Sequence, residues 1–315
     1  MTPPDYTLYP RPKAQLVNRH RVHVALVLIP LFSVSGFHHS PESRQSRITI
    51  LYDAFGKSPT MEKDWGYSAL VEYGGKRILF DTGNNPTIFA RNVKAAGADL
   101  LKLDLVVISH RHLDHTAGLV HLLSVNPSVK IYAPKDAFGV FGSSLPSEFY
   151  RRQDSLPAEM RYFDGHPEDT LRFGRAWPKG EFVTVDAPVE VVPGVHLISL
   201  VSETVGTKEL RELSMAIETP RGMVVVAGCS HPGIEKIVEA ATKIGPDVHL
   251  VFGGFHLPAA TDLEVARIAA ALHDTYEVDR IAPGHCTGEP AFYQFKRIWK
   301  DRYVYAGVGS VIGLP

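Results

Sequence analysis

Apolar and polar positions along the chain fall into short runs whose period changes, and those changes mark the elements. From residue 47 the run ITILYD reads as a strand, followed by YSALVEY at 67–73, a turn at Gly74 and Gly75, and RILFDTG at 77–83. The last two form a hairpin with a charged, glycine-rich turn. Pro86 fits the first turn of a helix capped by Asn85, with Ile88, Phe89 and Val93 on one side. Leu105, Val106, Val107 and Ile108 form an unbroken branched-apolar run, the signature of a strand covered on both faces, and Ser109 ends it. Residues 115–123 predict a helix and VKIYAP at 129–134 another strand. After residue 190 the strand signals resume with VHLISLV at 195–201, SMAIET at 214–219, GMVVVAG at 222–228, VHLVFGG at 248–254 and RIAPG before His285. Helical spacing separates the later ones: Ile234, Ile237, Val238 and Ala241 in one helix, Val265, Ile268, Ala269, Leu272 and Tyr276 in a second that Thr261 and Glu264 cap. A last helix and YVYAGVGSVIG close the chain. Strand, helix and strand in succession predict an α/β layered domain.

Composition adds limits. The 315 residues can bury a large core, and length alone allows one or two domains. A formal net charge of -1 and a pI near 7.0 supply no global field to recruit nucleic acid or a membrane surface, so a small-molecule partner is expected and a nucleic-acid partner is not. The only cysteines, Cys229 and Cys286, form no Cys-x-x-Cys pair and imply no disulfide framework. Residues 1–45 read as a tail, and residues 46–315 as one domain. In the tail, Arg11, Lys13, Arg19 and Arg21 precede the apolar run VHVALVLIPLFSVSGF at 22–37, which resembles an export signal. The run is short and carries Pro30, so no stable membrane span is expected. The chain would be periplasmic or secreted if the run acts as a signal, and cytoplasmic if it docks on the domain.

Residues 135–190 are the least regular part. Phe138, Phe141, Phe149, Tyr150, Tyr162, Phe163, Phe173 and Trp177 interleave there with Arg151, Arg152, Arg161, Arg172 and Arg175. A long irregular stretch of this kind reads as a lid-like insert whose aromatic and guanidinium groups would grip an anionic or aromatic substrate. Aromatics packing a loop onto the domain are the plainer alternative.

Chemistry concentrates directly after the central strand, where His110, His112, Asp114 and His115 lie within six residues. Three imidazoles and a carboxylate cannot all enter a core without partners, and a divalent cation satisfies them together. The donors suit zinc, and also iron or manganese. A polar, His-rich surface turn is the bland alternative. Asp81 emerges at a strand end, where its carboxylate could orient a metal-bound imidazole. His231, His256 and His285 each follow an apolar strand, and the turn residues after His231 and His285 would leave those two on one rim as candidate ligands.

The ILFDTG strand end, SHRHLDHTAG, a later His after an apolar strand and a terminal PGH resemble the metallo-β-lactamase superfamily, in its order, over about residues 47–310. More narrowly, DWGYSALVEYGGKRILFDTG, AGCSHPGI, GGFHL and PGHCTG are similar to the branch containing the dihydropterin ribofuranosylaminobenzene 5'-phosphate synthases. The resemblance implies an αββα sandwich with two divalent metal ions on one edge. His110, His112 and His231 would hold one ion, and Asp114, His115 and His285 the other, with Asp81 behind them. Two departures stand out. ISLVSETVGT offers no His where the family carries one, so His231 substitutes, and Cys229 replaces the usual bridging Asp. Cys229 would bridge as a thiolate, stand as a neighbour, or leave the bridge to water. The implied chemistry is hydrolysis of an ester, lactone or phosphoester by hydroxide from a water whose pKa the cations lower toward ~7, with Asp114 passing a proton and His256 donating to substrate. A transferase like the pterin-condensing relatives, and a metal-binding sensor without turnover, are the rival readings.

Overall fold

The computed structural model describes residues 46–136, 142–146, 153–166, 170–174 and 180–315. The export-signal reading of residues 1–45 falls outside them, as do Phe138, Phe141, Phe149, Tyr150, Arg151, Arg152, Arg175 and Trp177. In chain order the regular elements are β1 (Arg47–Tyr52), β2 (Ser68–Tyr73), β3 (Lys76–Phe80), α1 (Pro86–Ala95), β4 (Leu105–Val107), α2 (Leu113–Thr116), α3 (Leu119–Val125) and β5 (Lys130–Pro134). Then come β6 (Gly142–Pro146), β7 (Thr170–Gly174), β8 (Glu181–Val185), β9 (Val189–Val192), β10 (Val195–Val201), β11 (Arg211–Thr219) and β12 (Gly222–Ala227). The chain ends with α4 (Ile234–Thr242), β13 (Val248–Gly254), α5 (Asp262–Ala270), β14 (Arg280–Gly284), α6 (Glu289–Trp299) and β15 (Val311–Gly313).

The strands make two mixed sheets. One runs β15-β1-β2-β3-β4-β5-β8 and the other β14-β13-β12-β11-β10-β9, while β6 and β7 pair as a separate ribbon. Alternation along each strand builds the layers, because successive side chains point to opposite faces. Ile78, Phe80, Leu105 and Val107 from the first sheet meet Leu213, Met215, Val224, Val226 and Phe252 from the second in a shared core. Their neighbours Leu79, Val106 and Ile108 turn outward onto Phe89, Val93, Leu119 and Leu122 of α1 and α3. On the far side Val225, Ala227 and Val251 pack on Ile237 and Val238 of α4, Ile268 of α5 and Phe295 and Trp299 of α6. The result is the four-layer αββα sandwich. Each fully buried Val, Leu or Ile contributes about 1.5–3 kcal/mol, so the three cores dominate the folding drive.

Local signals act as the side chains require. Asn85 accepts N–H bonds from Thr87 and Ile88 at 2.9 and 3.2 Å, and Thr261 accepts one from Glu264 at 3.3 Å. Several boundaries differ from the sequence reading, and the single helix expected over 115–123 is two short ones, α2 and α3, separated at Ala117 and Gly118. β11 starts at Arg211, three residues before SMAIET, because Glu212 is accommodated inside the sheet. Residues 181–190 lie within the stretch expected to be a lid, yet β8 pairs with β5 and β9, which runs on to Val192, pairs with β10, as edge strands of the two sheets. Most of their side chains stay exposed or half-buried because an edge strand has only one neighbour to bury it. No described helix is long and apolar enough to cross a membrane.

Candidate metal centre

Strand ends from both sheets deliver the site. His110 follows β4; His112 caps α2, which carries Asp114 and His115; His231 follows β12 and His285 follows β14. Four of the junctions need left-handed backbone at non-glycine residues: Asp81 (φ 57°), Ser230 (φ 66°), His256 (φ 52°) and His285 (φ 46°). Such conformations cost of order 1–3 kcal/mol each and persist where surrounding contacts over-determine them.

Three buried carboxylates brace three of these junctions, those at Asp81, Ser230 and His285. Asp81, fully buried, accepts the Ser109 N–H on Oδ1 at 2.7 Å and the Ser109 hydroxyl on Oδ2 at 2.7 Å, and Oδ2 lies 2.7 Å from His115 Nδ1. Ser109 Oγ in turn lies 2.9 Å from His110 Nδ1. One carboxylate therefore fixes two rings, directly and through a hydroxyl, with the Nε2 lone pairs left for the site. Gly228 keeps this room open, since a Cβ there would sit 2.3 Å from Ser109 Oγ. Glu212 of β11 holds the turn after β12: its Oε1 accepts the N–H groups of Cys229 and Ser230 at 2.9 and 2.7 Å, and Oε2 that of His231 at 2.8 Å. Burial pushes the Glu212 carboxyl up, and these three N–H groups pull against it. Asp53, at the end of β1, accepts the His285 N–H at 2.9 Å and that of Ala54 at 2.7 Å. Burial pushes it up to about 7 against the pull of His285.

The sequence reading anticipated Asp81 and missed Asp53 and Glu212. Asp53 occupies the same strand-end position as Asp81, which was a usable signal. Glu212 was legible only as a lone acid in an otherwise apolar alternation.

All six expected ligands converge. Ligand atoms of His110, His112 and His231 lie within 4.8 Å of one another, and so do those of Asp114, His115 and His285. His110 Nε2 is 3.1 Å from His112 Nδ1, and His285 Nε2 is 3.4 Å from Asp114 Oδ2. Two donors on one tetrahedral zinc lie roughly 3.4 Å apart, from bond lengths of about 2.0–2.1 Å. Two facing imidazole lone pairs repel unless a proton or cation stands between them. The buried rings of His231 and His285 make no hydrogen bond through either nitrogen. Leaving such atoms unpaired costs about 1–3 kcal/mol apiece, which a cation would relieve. The donor set therefore fits a metal.

The local field agrees. Burial works against a charged His115, but Asp114 and Asp81 override it and push the ring up to about 9. That negative field equally favours a cation. Burial also disfavours charge on His112, down to about 4, and lowers His110 and His231 well below the usual range. Burial alone would raise Asp114, yet His115 and His285 hold its carboxyl below the ordinary carboxylate range.

Cys229 Sγ sits between the two triads. It lies 3.2 Å from His115 Nε2 and joins separate donor groups with His110 and His115, with His231 and His256, and with His285 and Cys286. Sequence reasoning left Cys286 without a role, and the structure puts its Sγ 3.4 Å from that of Cys229. His256 is exposed at the mouth, its ring 4.2 Å from that of His231. A cleft of about 280 Å³ beside these two His is lined by Thr204, Lys236 and Arg267 among others. On the other side Trp65, 49% exposed, stands with its ring 5.2 Å from that of His285.

A four-layer αββα sandwich with paired His and Asp triads at its edge defines a class of hydrolase-type folds built around divalent metals. The chain belongs to the metallo-beta-lactamase superfamily, whose family model matches residues 66–285. It is 28% identical over 292 residues to a 7,8-dihydropterin-6-methyl-4-(beta-D-ribofuranosyl)-aminobenzene-5'-phosphate synthase of Methanocaldococcus jannaschii, covering 84% of this chain and 95% of that one. A solved metal-dependent hydrolase of the beta-lactamase superfamily superposes with a TM-score of 0.67 at 24% identity, covering 85% of this chain and 99% of the other. Shorter likeness reaches a ribonuclease Z of Bradyrhizobium sp., 36% identical over 74 residues, which is 24% of this chain and 23% of that enzyme.

Proposed function

We propose that this protein is a metal-dependent hydrolase of a small ester, lactone or phosphoester. The observation that carries the reading is the convergence of His110, His112 and His231 with Asp114, His115 and His285, including buried ring nitrogens without hydrogen-bond partners. These triads would hold two divalent cations, zinc before iron or manganese, with the Cys229 thiol among the neighbouring donors. Such cations would supply Lewis acidity for a substrate oxygen and lower the pKa of water at the site. Asp114, kept ionised by His115 and His285, would accept a proton at the site and pass it on. His256 donates to the departing oxygen: desolvation lowers its pKa, but a hydrogen bond with Cys286 and the nearby carboxylates raise it overall. Trp65 and the cleft beside His256 receive the two sides of the substrate.

A transferase is the second reading, favoured by the match along most of the chain to the M. jannaschii synthase. There the same residues would activate a substrate group in place of water. Metal analysis of freshly purified protein, followed by ester, lactone, phosphodiester and short RNA panels, tests the first reading. Turnover of at least one substrate in proportion to metal content is expected. No turnover at full metal occupancy, with product appearing only when a second substrate is added, would overturn hydrolysis in favour of transfer.

A further inference from the structure

Cys229 and Cys286 follow different strands, β12 and β14, yet both thiols are buried at the floor of the metal centre, 4% and 2% exposed, with Sγ atoms 3.4 Å apart. Cys286 Sγ also approaches the Cys229 carbonyl oxygen at 3.7 Å, so it sits against both the side chain and the backbone of Cys229. A Cβ on Gly254 would come 2.9 Å from Cys286 Sγ, which leaves that thiol its place beside Cys229. A disulfide needs a bonded separation of about 2.05 Å, so the two sulfurs would have to approach by roughly 1.4 Å. The same Cys229 sulfur faces His115 Nε2 at 3.2 Å and is shared among three potential donor groups.

We propose that Cys229 and Cys286 form a reversible disulfide that locks the centre against metal, so the protein responds to peroxide-class oxidants. Resting on the metal reading above, the lock makes one sulfur serve two exclusive bonds. One thiol sulfur attacks a peroxide oxygen; the O–O bond breaks, the departing oxygen takes a proton and leaves as water, and a sulfenic acid remains. The second sulfur attacks the sulfenic sulfur; the S–S bond forms, the S–O bond breaks, and the oxygen leaves as a second water with the remaining proton. Two electrons pass from the sulfurs to the peroxide. A small dithiol reverses the step by exchange, releasing both protein thiols and becoming a cyclic disulfide itself. The small size of hydrogen peroxide suits thiols this deep, and the disulfide withdraws Cys229 from His110, His115 and His231.

The test uses the full-length chain, stripped by chelator in one arm and loaded with zinc in the other, with hydrogen peroxide added to both. In the stripped arm we expect intact mass to fall by two hydrogens, one crosslinked peptide pair joining Cys229 to Cys286, loss of zinc uptake, and recovery of both with dithiothreitol. Zinc loading should slow the crosslink by about tenfold, since a metal-held sulfur is not free to attack. Cys286→Ser should form no crosslink under peroxide, and its zinc uptake, whatever its starting level, should be the same before and after oxidation. Oxygen additions at either cysteine without a crosslink would overturn the lock and leave the metal reading standing. A crosslinked chain that still takes up zinc normally would also overturn the lock alone. A reduced chain that binds no zinc would overturn both, whether or not the crosslink forms.

Discussion

Replacing Glu212 by Gln probes how the sandwich holds its site. The native carboxylate accepts three backbone N–H bonds at 2.7–2.9 Å from Cys229, Ser230 and His231. A glutamine oxygen can keep the two bonds on Oε1, but its amide then points hydrogens at the His231 N–H. One hydrogen bond to a charged acceptor, worth about 1.5–3 kcal/mol, is lost, and a buried donor is left facing another at a cost of about 1–3 kcal/mol. Relief of the carboxylate's own desolvation, the larger influence on this buried group, offsets much of this. The expected net destabilisation is about 2 kcal/mol, which at a urea slope near 3 kcal/mol/M lowers the unfolding midpoint by roughly 0.7 M. Because the disturbed turn carries Cys229 and His231, zinc affinity should drop about 10–100-fold, as for other groups that orient ligands. Urea unfolding of metal-stripped protein and a zinc competition titration read the two effects separately. An unchanged midpoint together with unchanged zinc affinity would refute the assignment of Glu212 as the anchor of this turn.

His112→Ala should remove about one metal equivalent and the activity together, measured by elemental analysis alongside turnover; full activity in the variant would sink the site assignment. Asp81→Asn cannot accept from Ser109 twice and also hold His115 Nδ1, so zinc affinity should fall about 10–100-fold while the far-UV circular dichroism is kept. Chelation should lower stability by about 2.7 kcal/mol when the displaced zinc stood at a hundredfold over its Kd, and zinc should restore it; a melting temperature indifferent to zinc would contradict metal binding. Gly253→Ala places a Cβ 1.9 Å from the Ala227 carbonyl oxygen at a φ of 107°, so a loss of at least about 3 kcal/mol, or roughly 6 °C in Tm, is expected from calorimetry.

Much of the fold was legible because each strand of the two sheets faces a core on one or both sides, so its apolar residues run or alternate without interruption. Val106 and Val107 show this: adjacent in sequence, they enter different cores. Reading failed at the edges. β8 and β9 carry Glu181, Thr184 and Glu190 at exposed positions of edge strands, and their period sank into the irregular stretch around them. The start of β11 was lost for a related reason. Arg211 and Glu212 look like a loop until the partners of Glu212, three N–H groups from a turn seventeen or more residues away, are seen.

The candidate site divides the same way. The cluster from His110 to His115 was readable because its donors are neighbours in sequence, and His231 and His285 because each interrupts the end of an apolar run. What the chain by itself determined is therefore the type and order of the elements and the identity of the donors, since periodicity and residue chemistry are local properties. Only the tertiary structure decided which donors share a space, that Asp53 and Glu212 brace the loops presenting them, and that two cysteines 57 positions apart meet sulfur to sulfur. Those relations depend on β12, β13 and β14 lying side by side in one sheet, a pairing that no local pattern records.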